Sequence, residues 1–435
     1  MGTRDHFSRR RFISLAAATA AGCATVGKGQ RGDQSARHVP STPRRRSPAA
    51  SGVVRVGLIG CGARGIEHLR QLRKRAVAGG VRVVAVCDIY GPRKRYARAL
   101  SNADLHHRWQ DLLARRDVDA VVIATPDHWH APMAIAAMES GKDVYCERPM
   151  ARDAAQAKAF RNCAERTKRI VQIGVQQTSE SQWRVAKALV QDGVVGEVCW
   201  SQARYTRNPA VGAWNTPIDH GFSPDTLDWD AFLGDAPKRP FSPERYFRWR
   251  KYWDYSNGIA TDVLYERLAP LLLTLGAGFP ERVSAAGGMY VQDEREVPDS
   301  LLVRAEYPGG ATIVLAASPA NAGNLPAVIR GDKAGLEFLG DHVALLPEGE
   351  PSPGPETDGG RDTLHRVPCE ERPGHLANWL ACVRSRAKCI CDEDLGYRTM
   401  AGIGMAIEAY RQGKRLEAGD WRLEAGGWAG HRGGS

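Results

Sequence analysis

The segment VVRVGLIGCGARG, residues 53–65, restricts the fold of this chain more than any other part of the sequence. An apolar run of strand type leads into a turn with glycines at positions 60, 62 and 65. Gly60 permits a tight turn, and Gly62 lets the backbone approach a pyrophosphate. Gly65 lets the following helix pack closely on the strand. The segment therefore predicts a strand, a dinucleotide-binding turn and a helix.

A second strand supports this interpretation. Ala63 and Arg64 complete the loop where the helix begins, and the N–H groups there attract an anion. The run VRVVAVCD, residues 81–88, predicts the next strand and ends on Asp88. An acid there suits the ribose hydroxyls of NAD and repels the additional phosphate of NADP. Arg93 lies nearby, so NAD is the expected cofactor and NADP the alternative.

Strands and helices continue to alternate as far as residue 177, which predicts a parallel sheet with ligands at the carboxyl ends of its strands. Gln176 at such an end is a candidate substrate contact. His130 begins a helix, and its alternative role is structural. The further candidate cofactor residues at these strand ends, with His130, are Thr125, Pro126, Glu147 and Arg148.

The net charge of +11 does not predict nucleic-acid binding, because it is concentrated at one end of the chain. Residues 1–52 contain ten Lys and Arg residues and two acids, which leaves +3 for the remainder. The ten cysteines form no CxxC pair and no zinc spacing with histidine, so we expect no metal site.

The first residues are typical of an export signal. SRRRFIS, residues 8–14, precedes a weakly apolar stretch, as in a twin-arginine signal; the alternative is a disordered basic tail. Cys23 follows small residues and is a candidate lipid anchor, although cleavage at a plain small-residue site is equally compatible. We expect a signal over 1–23, handled by the twin-arginine translocase, a linker over 24–52 and a periplasmic or exported protein.

The remaining chain predicts a nucleotide-binding domain over 53–174 and a substrate and oligomerisation domain over 175–435. Apolar and polar residues alternate around PGG in 301–318, which predicts a hairpin, and 327–349 predicts two more strands. An antiparallel sheet with one open face suits substrate cover or subunit pairing, so we expect a homo-oligomer.

These motifs resemble the Gfo/Idh/MocA family, the relatives of glucose–fructose oxidoreductase and inositol dehydrogenase. The resemblance extends over about residues 53–420. It implies an α/β protein: a Rossmann doubly wound parallel sheet, a C-terminal α/β domain with an open, mainly antiparallel sheet, bound NAD(P) and a carbohydrate-like substrate. The segments that carry it are GLIGCGARG, ATPDHWH, CERP, VQIGVQQ, GEVCWSQARY, LDWDAFLG and RYFRWRKYWDYSNGIATD.

Two positions depart from the family pattern. The family has Glu-Lys-Pro where this chain has Glu147, Arg148 and Pro149, and the lysine commonly lies beside the nicotinamide and the substrate. The family also has a catalytic histidine four residues after an aspartate, where this chain has Asp262 followed by Glu266.

The two departures suggest an exchange of roles. Arg148 stays protonated, so it could bind a substrate oxygen or stabilise negative charge but could not carry a proton. Glu266 could act as the base, since a carboxylate in a closed pocket can have its pKa raised. The alternative is a structural ion pair in a site without chemistry. Asp262 is either functional or a helix cap.

Aromatic and basic residues interleave in RYFRWRKYWDY, residues 245–255. In this context a sugar site is favoured over single-stranded nucleic acid, because aromatic rings cover the apolar faces of sugars. Packing alone is the other interpretation. The candidate substrate contacts besides Gln176 are Trp214, Trp249, Arg250 and Tyr265.

Three functions remain open on the sequence. The first is an exported NAD(P)-dependent oxidoreductase acting on a sugar or sugar derivative. Because the periplasm offers no obvious pool of free NAD, its cofactor would be restored in situ. The second is a redox-neutral, NAD-dependent glycosidase. The third is an inactive protein that binds NAD and a sugar.

Overall fold

The computed structural model of this chain describes residues 52–77, 79–210, 212–323, 325–349 and 365–419. The predicted export signal, and the linker apart from its last residue, lie outside these residues. No helix in the described ranges is long and apolar enough to cross a membrane.

A parallel sheet forms the first layer, and six of its strands lie in the described residues, in the order β3-β2-β1-β4-β5-β6. Its central strands are almost continuously apolar because helices cover both faces. The strand order reverses between β1 and β4, which opens a crevice at their carboxyl ends. The strands are β1 Val54–Ile59, β2 Val81–Cys87, β3 Asp104–His106, β4 Ala120–Ile123, β5 Asp143–Glu147 and β6 Val171–Gly174.

The helices surround this sheet and continue into the second half of the chain. In the described residues they are α1 Ala63–Ala76, α2 Gly91–Ser101, α3 Trp109–Ala114, α4 Asp127–Glu139, α5 Ala154–Thr167, α6 Ser181–Gln191, α7 Trp229–Leu233, α8 Pro243–Phe247, α9 Tyr265–Leu275, α10 His375–Ser385 and α11 Glu393–Gln412.

One face of the parallel sheet is completed from far along the chain. Leu69 and Leu72 of α1 share their apolar cluster with Leu376 and Trp379 of α10. The Trp379 ring is fully buried, with its centroid 5.7 Å from that of Tyr145 on β5. The nucleotide-binding sheet is therefore covered in part by a helix that lies beyond the predicted 53–174 domain.

The second sheet is mixed and mainly antiparallel, with nine strands among the described residues in the order β14-β13-β12-β11-β7-β10-β9-β8-β15. The pair β7–β10 is parallel. Helices α9 and α11 pack against one face of this sheet, so the predicted fold class is confirmed. The strands are β7 Val198–Thr206, β8 Arg282–Gly288, β9 Ser300–Glu306, β10 Thr312–Ser318, β11 Val328–Gly331, β12 Ala334–Phe338, β13 His342–Pro347, β14 His365–Pro368 and β15 Leu416–Glu417.

The hairpin predicted in 301–318 is confirmed as β9 and β10, which pair antiparallel. The two strands predicted in 327–349, around GDKAG, are confirmed as β11 and β12, and the region also contains β13, which was not predicted. A second tight turn at Gly340, where φ is 88°, separates β12 from β13. Glycine reaches this conformation without steric cost, so Gly340 is the sequence signal for this turn.

Candidate active site

A cleft of about 570 Å³ opens at the carboxyl ends of β1, β2, β4 and β5, a volume typical of small-molecule sites. Residues 216–250 contribute much of the opposite wall, and we call them the cover segment. The sequence-predicted residues that line this cleft are Gly60, Gly62, Ala63, Arg64, Asp88, Thr125, Pro126, His130, Glu147, Arg148, Gln176, Trp249, Arg250 and Glu266.

The glycine turn forms one end of the cleft. Gly60 has φ of 90°, and a Cβ there would lie 2.6 Å from the carbonyl oxygen of Ala124. Gly65 does not line the cleft; a Cβ on it would collide with the Gly60 carbonyl, as expected for close packing of α1 on β1. A Cβ on Gly62 would meet nothing nearer than Arg93 Nη1 at 3.6 Å. The backbone at Gly62 is therefore open to a ligand.

Asp88 stands at the end of β2 and links two loops. Its carboxylate accepts hydrogen bonds from the Cys61 amide at 2.6 Å and the Tyr90 amide at 2.8 Å. Arg93 lies over the rings of Tyr90, Tyr246 and Phe247, with its Cζ 5.2–5.7 Å from the ring centroids. This end of the cleft thus combines an acid with a cation held by aromatic rings.

Glu147 ends β5 with only 6% of its surface exposed. Its Oε1 accepts from Arg64 Nε at 2.8 Å and from Gln176 Nε2 at 3.1 Å, and it contacts His68 Nε2 at 2.6 Å. Burial alone would raise the pKa of Glu147, but His68, Arg64 and Arg148 bring it well below its usual value. The carboxylate therefore organises β5, α1 and the segment after β6 around a buried negative charge.

Arg148 lies at the centre of a second charged group. Its Nη1 donates to Asp262 Oδ1 at 2.9 Å, and its Nε and Nη2 lie 3.2 and 3.1 Å from Glu266 Oε2. The Oε1 atom of Glu266 makes no hydrogen bond within the described ranges. We call Arg148, Asp262 and Glu266 the charged triad. It brings together the three residues predicted to be catalytic.

Asp262 is held by three side chains. Besides Arg148, Arg250 Nε donates to its Oδ1 at 3.0 Å and Trp214 Nε1 to its Oδ2 at 3.1 Å. The helical turn that contains it, Ala260–Leu264, has Ile259 as its N-cap and makes no side-chain cap bond. The cap alternative for Asp262 is therefore wrong.

His130 connects the loops that follow two strands. Its Nδ1 lies 2.6 Å from the carbonyl oxygen of Pro149 and its Nε2 lies 2.8 Å from that of Thr125. The loop after β5, where the Arg148–Pro149 peptide bond is cis, is thereby tied to the loop after β4. The ring also faces the cleft, so its structural contacts and a ligand contact are compatible.

A second cavity of about 380 Å³ adjoins the first, and the two share Arg148 and Arg250. Trp214 and Asp262 line this second cavity. The charged triad and Arg250 thus form the boundary between the two spaces.

Tyr265 lines neither cavity, and its prediction as a substrate contact is wrong. The side chain is fully buried, and its hydroxyl donates to the carbonyl oxygen of Gly396 at 2.9 Å. Glu266 follows it directly in α9, but successive helical residues point about 100° apart. Adjacency in sequence to Glu266 therefore did not place Tyr265 in the site.

Several residues of the site were not predicted. His68 lies one helical turn after Arg64, and both contact Glu147; that spacing was a usable signal. Asp127 is 3% exposed and accepts from Ser256 at 2.7 Å and Thr261 at 3.0 Å. No local pattern indicates that contact, because its donors lie more than a hundred residues away.

Acid should weaken the fold through these buried carboxylates. Burial by itself would raise the pKa of Asp262, but Arg250 and Arg148 lower it to about 2. Since the pKa of Asp262 and that of Glu147 are lower when folded than when unfolded, the unfolded chain binds more protons in acid. Their contribution is complete at neutral pH. That of Asp262 is lost as pH falls from about 4 towards 2, and that of Glu147, whose pKa is lowered further, continues to be lost at still lower pH.

For Asp262 the expected loss is about 2 kcal/mol of unfolding free energy. Urea unfolding at neutral pH and at successively lower pH measures it, and Asp262→Asn should flatten the dependence. An Asp262→Asn variant with the wild-type dependence would contradict this prediction.

The comparisons with known proteins agree with this architecture. Residues 54–175 match the Gfo/Idh/MocA model described as "Oxidoreductase family, NAD-binding Rossmann fold", and residues 187–424 match that of the family's C-terminal alpha/beta domain. The chain is similar in fold to an oxidoreductase domain protein from Kribbella flavida, with a TM-score of 0.65 and 22% identity over 84% of this chain and 98% of that one. Levoglucosan dehydrogenase in complex with NADH gives a TM-score of 0.65 and 16% identity over 84% and 99%.

Two curated relatives match over part of the sequence. Inositol 2-dehydrogenase of Salmonella typhimurium is 31% identical over 167 residues, which cover 38% of this chain and 49% of that protein. A glycosyl hydrolase family 109 protein of Shewanella baltica is 33% identical over 185 residues, covering 38% and 39%. The chain thus spans half or less of the length of these relatives. Because the two family models together match most of the sequence, the protein belongs to the Gfo/Idh/MocA oxidoreductase family.

Proposed function

We propose that this protein is an exported, NAD-dependent oxidoreductase that removes hydride from a carbinol carbon of a sugar or sugar derivative. Its cofactor is restored in situ by transfer of that hydride to a second, carbonyl-bearing substrate. The observation that carries the proposal is the position of the charged triad between the cofactor cleft and a second cavity. The family supplies NAD binding, and the names of several relatives point to sugar and polyol substrates.

The residues present fit NAD. The glycine turn is open at Gly62, where the N-terminus of α1 can receive a pyrophosphate. Asp88 can accept further hydrogen bonds, since a carboxylate offers about four acceptor positions and Asp88 accepts two hydrogen bonds from the described residues. The buried Oγ1 of Thr125 lines the cleft and has no partner among the described residues, so a ligand could satisfy it.

The proposed chemistry is the removal of two hydrogens. NAD, when bound, would supply the acceptor for the hydride, which takes two electrons and one proton from the carbinol carbon. Glu266 takes the hydroxyl proton through Oε1, the atom that Arg148 leaves unbonded. Arg148 keeps its positive charge and stabilises the oxygen as negative charge develops. Asp262 holds both Arg148 and Arg250 in orientation.

The cover segment supports retention of the cofactor. Gly91 N donates to the Thr226 carbonyl at 3.0 Å, and Trp129 Nε1 donates to the Phe232 carbonyl at 3.0 Å. Phe232 and Tyr246 from the same segment line the cleft. A bound dinucleotide would lie beneath this segment, whose backbone carbonyls accept hydrogen bonds from the first residues of α2 and α4. This arrangement favours slow exchange of bound NAD with the solvent. Slow exchange is required if the cofactor is recycled while it stays on the protein.

Protein recovered after export is expected to retain NAD. The measurement is the absorbance and mass of the nucleotide released on denaturation, compared with the amount of protein. A stoichiometric yield supports recycling in situ, because slow exchange makes a free pool unnecessary. Protein that is recovered empty, and that turns over only when NAD is added, would contradict recycling.

Asp88 should determine the preference for NAD. We expect Asp88→Asn to weaken binding of NADH by about ten- to a hundredfold, because a charged acceptor of a ribose hydroxyl is lost. Binding of NADPH should weaken less or improve, since the repulsion is also removed. Fluorescence titration of cofactor-free protein measures both. Asp104→Asn, whose acid pairs with Arg115 away from the cleft, is the control. Equal effects on both cofactors would contradict the assignment.

Two other functions have specific support. The relative named as a glycosyl hydrolase family 109 protein favours a redox-neutral glycosidase, in which hydride returns to the sugar after elimination. The Arg148–Glu266 ion pair favours a protein that binds without turnover. Assays of hydride transfer and of glycoside cleavage on one panel of sugars and glycosides distinguish these from an oxidoreductase.

A further inference from the structure

The second cavity has an unusual charge balance. The cations among its described lining residues are Arg148, Arg207 and Arg250, and the single acid there is Asp262. Arg148 is already occupied by Asp262 and Glu266. With three arginines and one aspartate, the described lining of this cavity carries an excess of positive charge.

The two remaining arginines have donors to spare. Arg250 uses Nε for Asp262, while its Nη1 and Nη2 make no hydrogen bond to the described residues. Arg207 has an exposed side chain, and its guanidinium forms no ion pair or hydrogen bond within the described ranges. Each therefore presents a planar set of N–H donors of the kind that binds carboxylate or phosphate in two-pronged geometry.

Stacking orients these guanidinium groups. Arg250 Cζ lies 4.1 Å from the centroid of the Trp249 ring, and Arg207 Cζ lies 5.5 Å from that of Tyr205. Arg267 lies against the same Tyr205 ring at 5.7 Å, and its buried Nε has no partner among the described residues. Arg267 interacts with Glu266 and Glu180, but Arg207 has no acidic partner among the described residues, and a neutral polyol would leave its charge unpaired.

We propose that the sugar handled by this enzyme carries an anionic group, and that Arg207 and Arg250 bind that group in the second cavity. The reacting carbon then lies towards Arg148 and Glu266, at the boundary with the cofactor cleft. Trp214 lines the cavity and provides aromatic surface for the apolar face of the sugar ring. The inference rests on the proposed function, because it names the substrate class for the same site.

The test compares three sugars of one stereochemical series: a hexuronate, a hexose 6-phosphate and the neutral hexose. Holoprotein is assayed for hydride transfer, and binding is measured separately by calorimetry so that the result does not depend on turnover. We expect one of the two anionic sugars to be preferred at least tenfold over the neutral hexose. Comparison of the hexuronate with the hexose 6-phosphate shows whether the site recognises a carboxylate or a phosphate. Arg207→Gln should lower the ratio of anionic to neutral sugar binding about tenfold, and Arg207→Lys should restore part of that ratio.

The control is Arg330→Gln, which removes an arginine paired with Glu337 and lying outside both cavities. Equal or stronger binding of the neutral sugar would overturn the proposal, as would an unchanged preference in Arg207→Gln. Selective binding of an anionic sugar without hydride transfer would instead support this proposal and argue against oxidoreductase activity.

Discussion

Replacing Glu266 by Gln is expected to lower kcat by about 10²–10⁴-fold while NAD remains bound. The substitution keeps the size of the side chain but removes the group that can accept a hydroxyl proton. No other titratable side chain of the charged triad is available for this role, because Arg148 stays protonated and Asp262 is bound by three donors. Steady-state kinetics with the best sugar, together with NADH titration, measure the two effects.

The matched control is Glu337→Gln, which breaks the Arg330–Glu337 ion pair outside both cavities and should leave kcat unchanged. If Glu266→Gln retains wild-type kcat, Glu266 is not the base. Arg148→Lys gives a further distinction. It preserves the charge but loses the planar group that spans Asp262 and Glu266, so kcat should fall. If no sugar is turned over by the wild type, and Arg148→Lys gains no activity, the protein binds without catalysis.

Replacing Glu147 by Ala is expected to cost about 3–5 kcal/mol of unfolding free energy. The substitution removes the acceptor that is shared by Arg64, His68 and Gln176. The contact with Arg64 is charge-assisted, and the contact with His68 is buried. The carboxylate also packs on Gly174, where a Cβ would lie 2.8 Å from its atoms. The truncation therefore leaves both a void and unpaired donors.

Urea unfolding of Glu147→Ala measures this loss, and the control is Glu139→Ala. Glu139 pairs with Arg166 at 2.8 Å, but both side chains are more than half exposed, so the control should lose at most about 1 kcal/mol. Similar unfolding midpoints for the two variants would show that Glu147 is not a structural anchor. Glu147→Gln keeps the volume and separates loss of charge from loss of packing.

The cofactor side of the site could be predicted well because local sequence encodes it. Gly60, Asp88, Thr125 and Glu147 each follow or end an apolar strand, and parallel strands bring their carboxyl ends to one edge. The substrate side could be predicted only in part. Arg250 and Trp249 could be predicted from a pattern of aromatic and basic residues. Tyr265 was wrongly predicted as a substrate contact, because the sequence of a single helical turn does not show which side of the helix is buried.

The sequence by itself determined the strand, glycine turn and helix that begin the fold, the alternation that makes a parallel sheet, and the residue types at Arg148 and Glu266. The tertiary structure alone decided that Arg148 meets Asp262 and Glu266, which lie 114 and 118 residues further along the chain. It also decided that α10 covers the first sheet and that two cavities meet at the charged triad. The physical reason is that hydrophobic periodicity and glycine geometry act over a few residues, whereas ion pairs and cavities depend on which distant surfaces pack together.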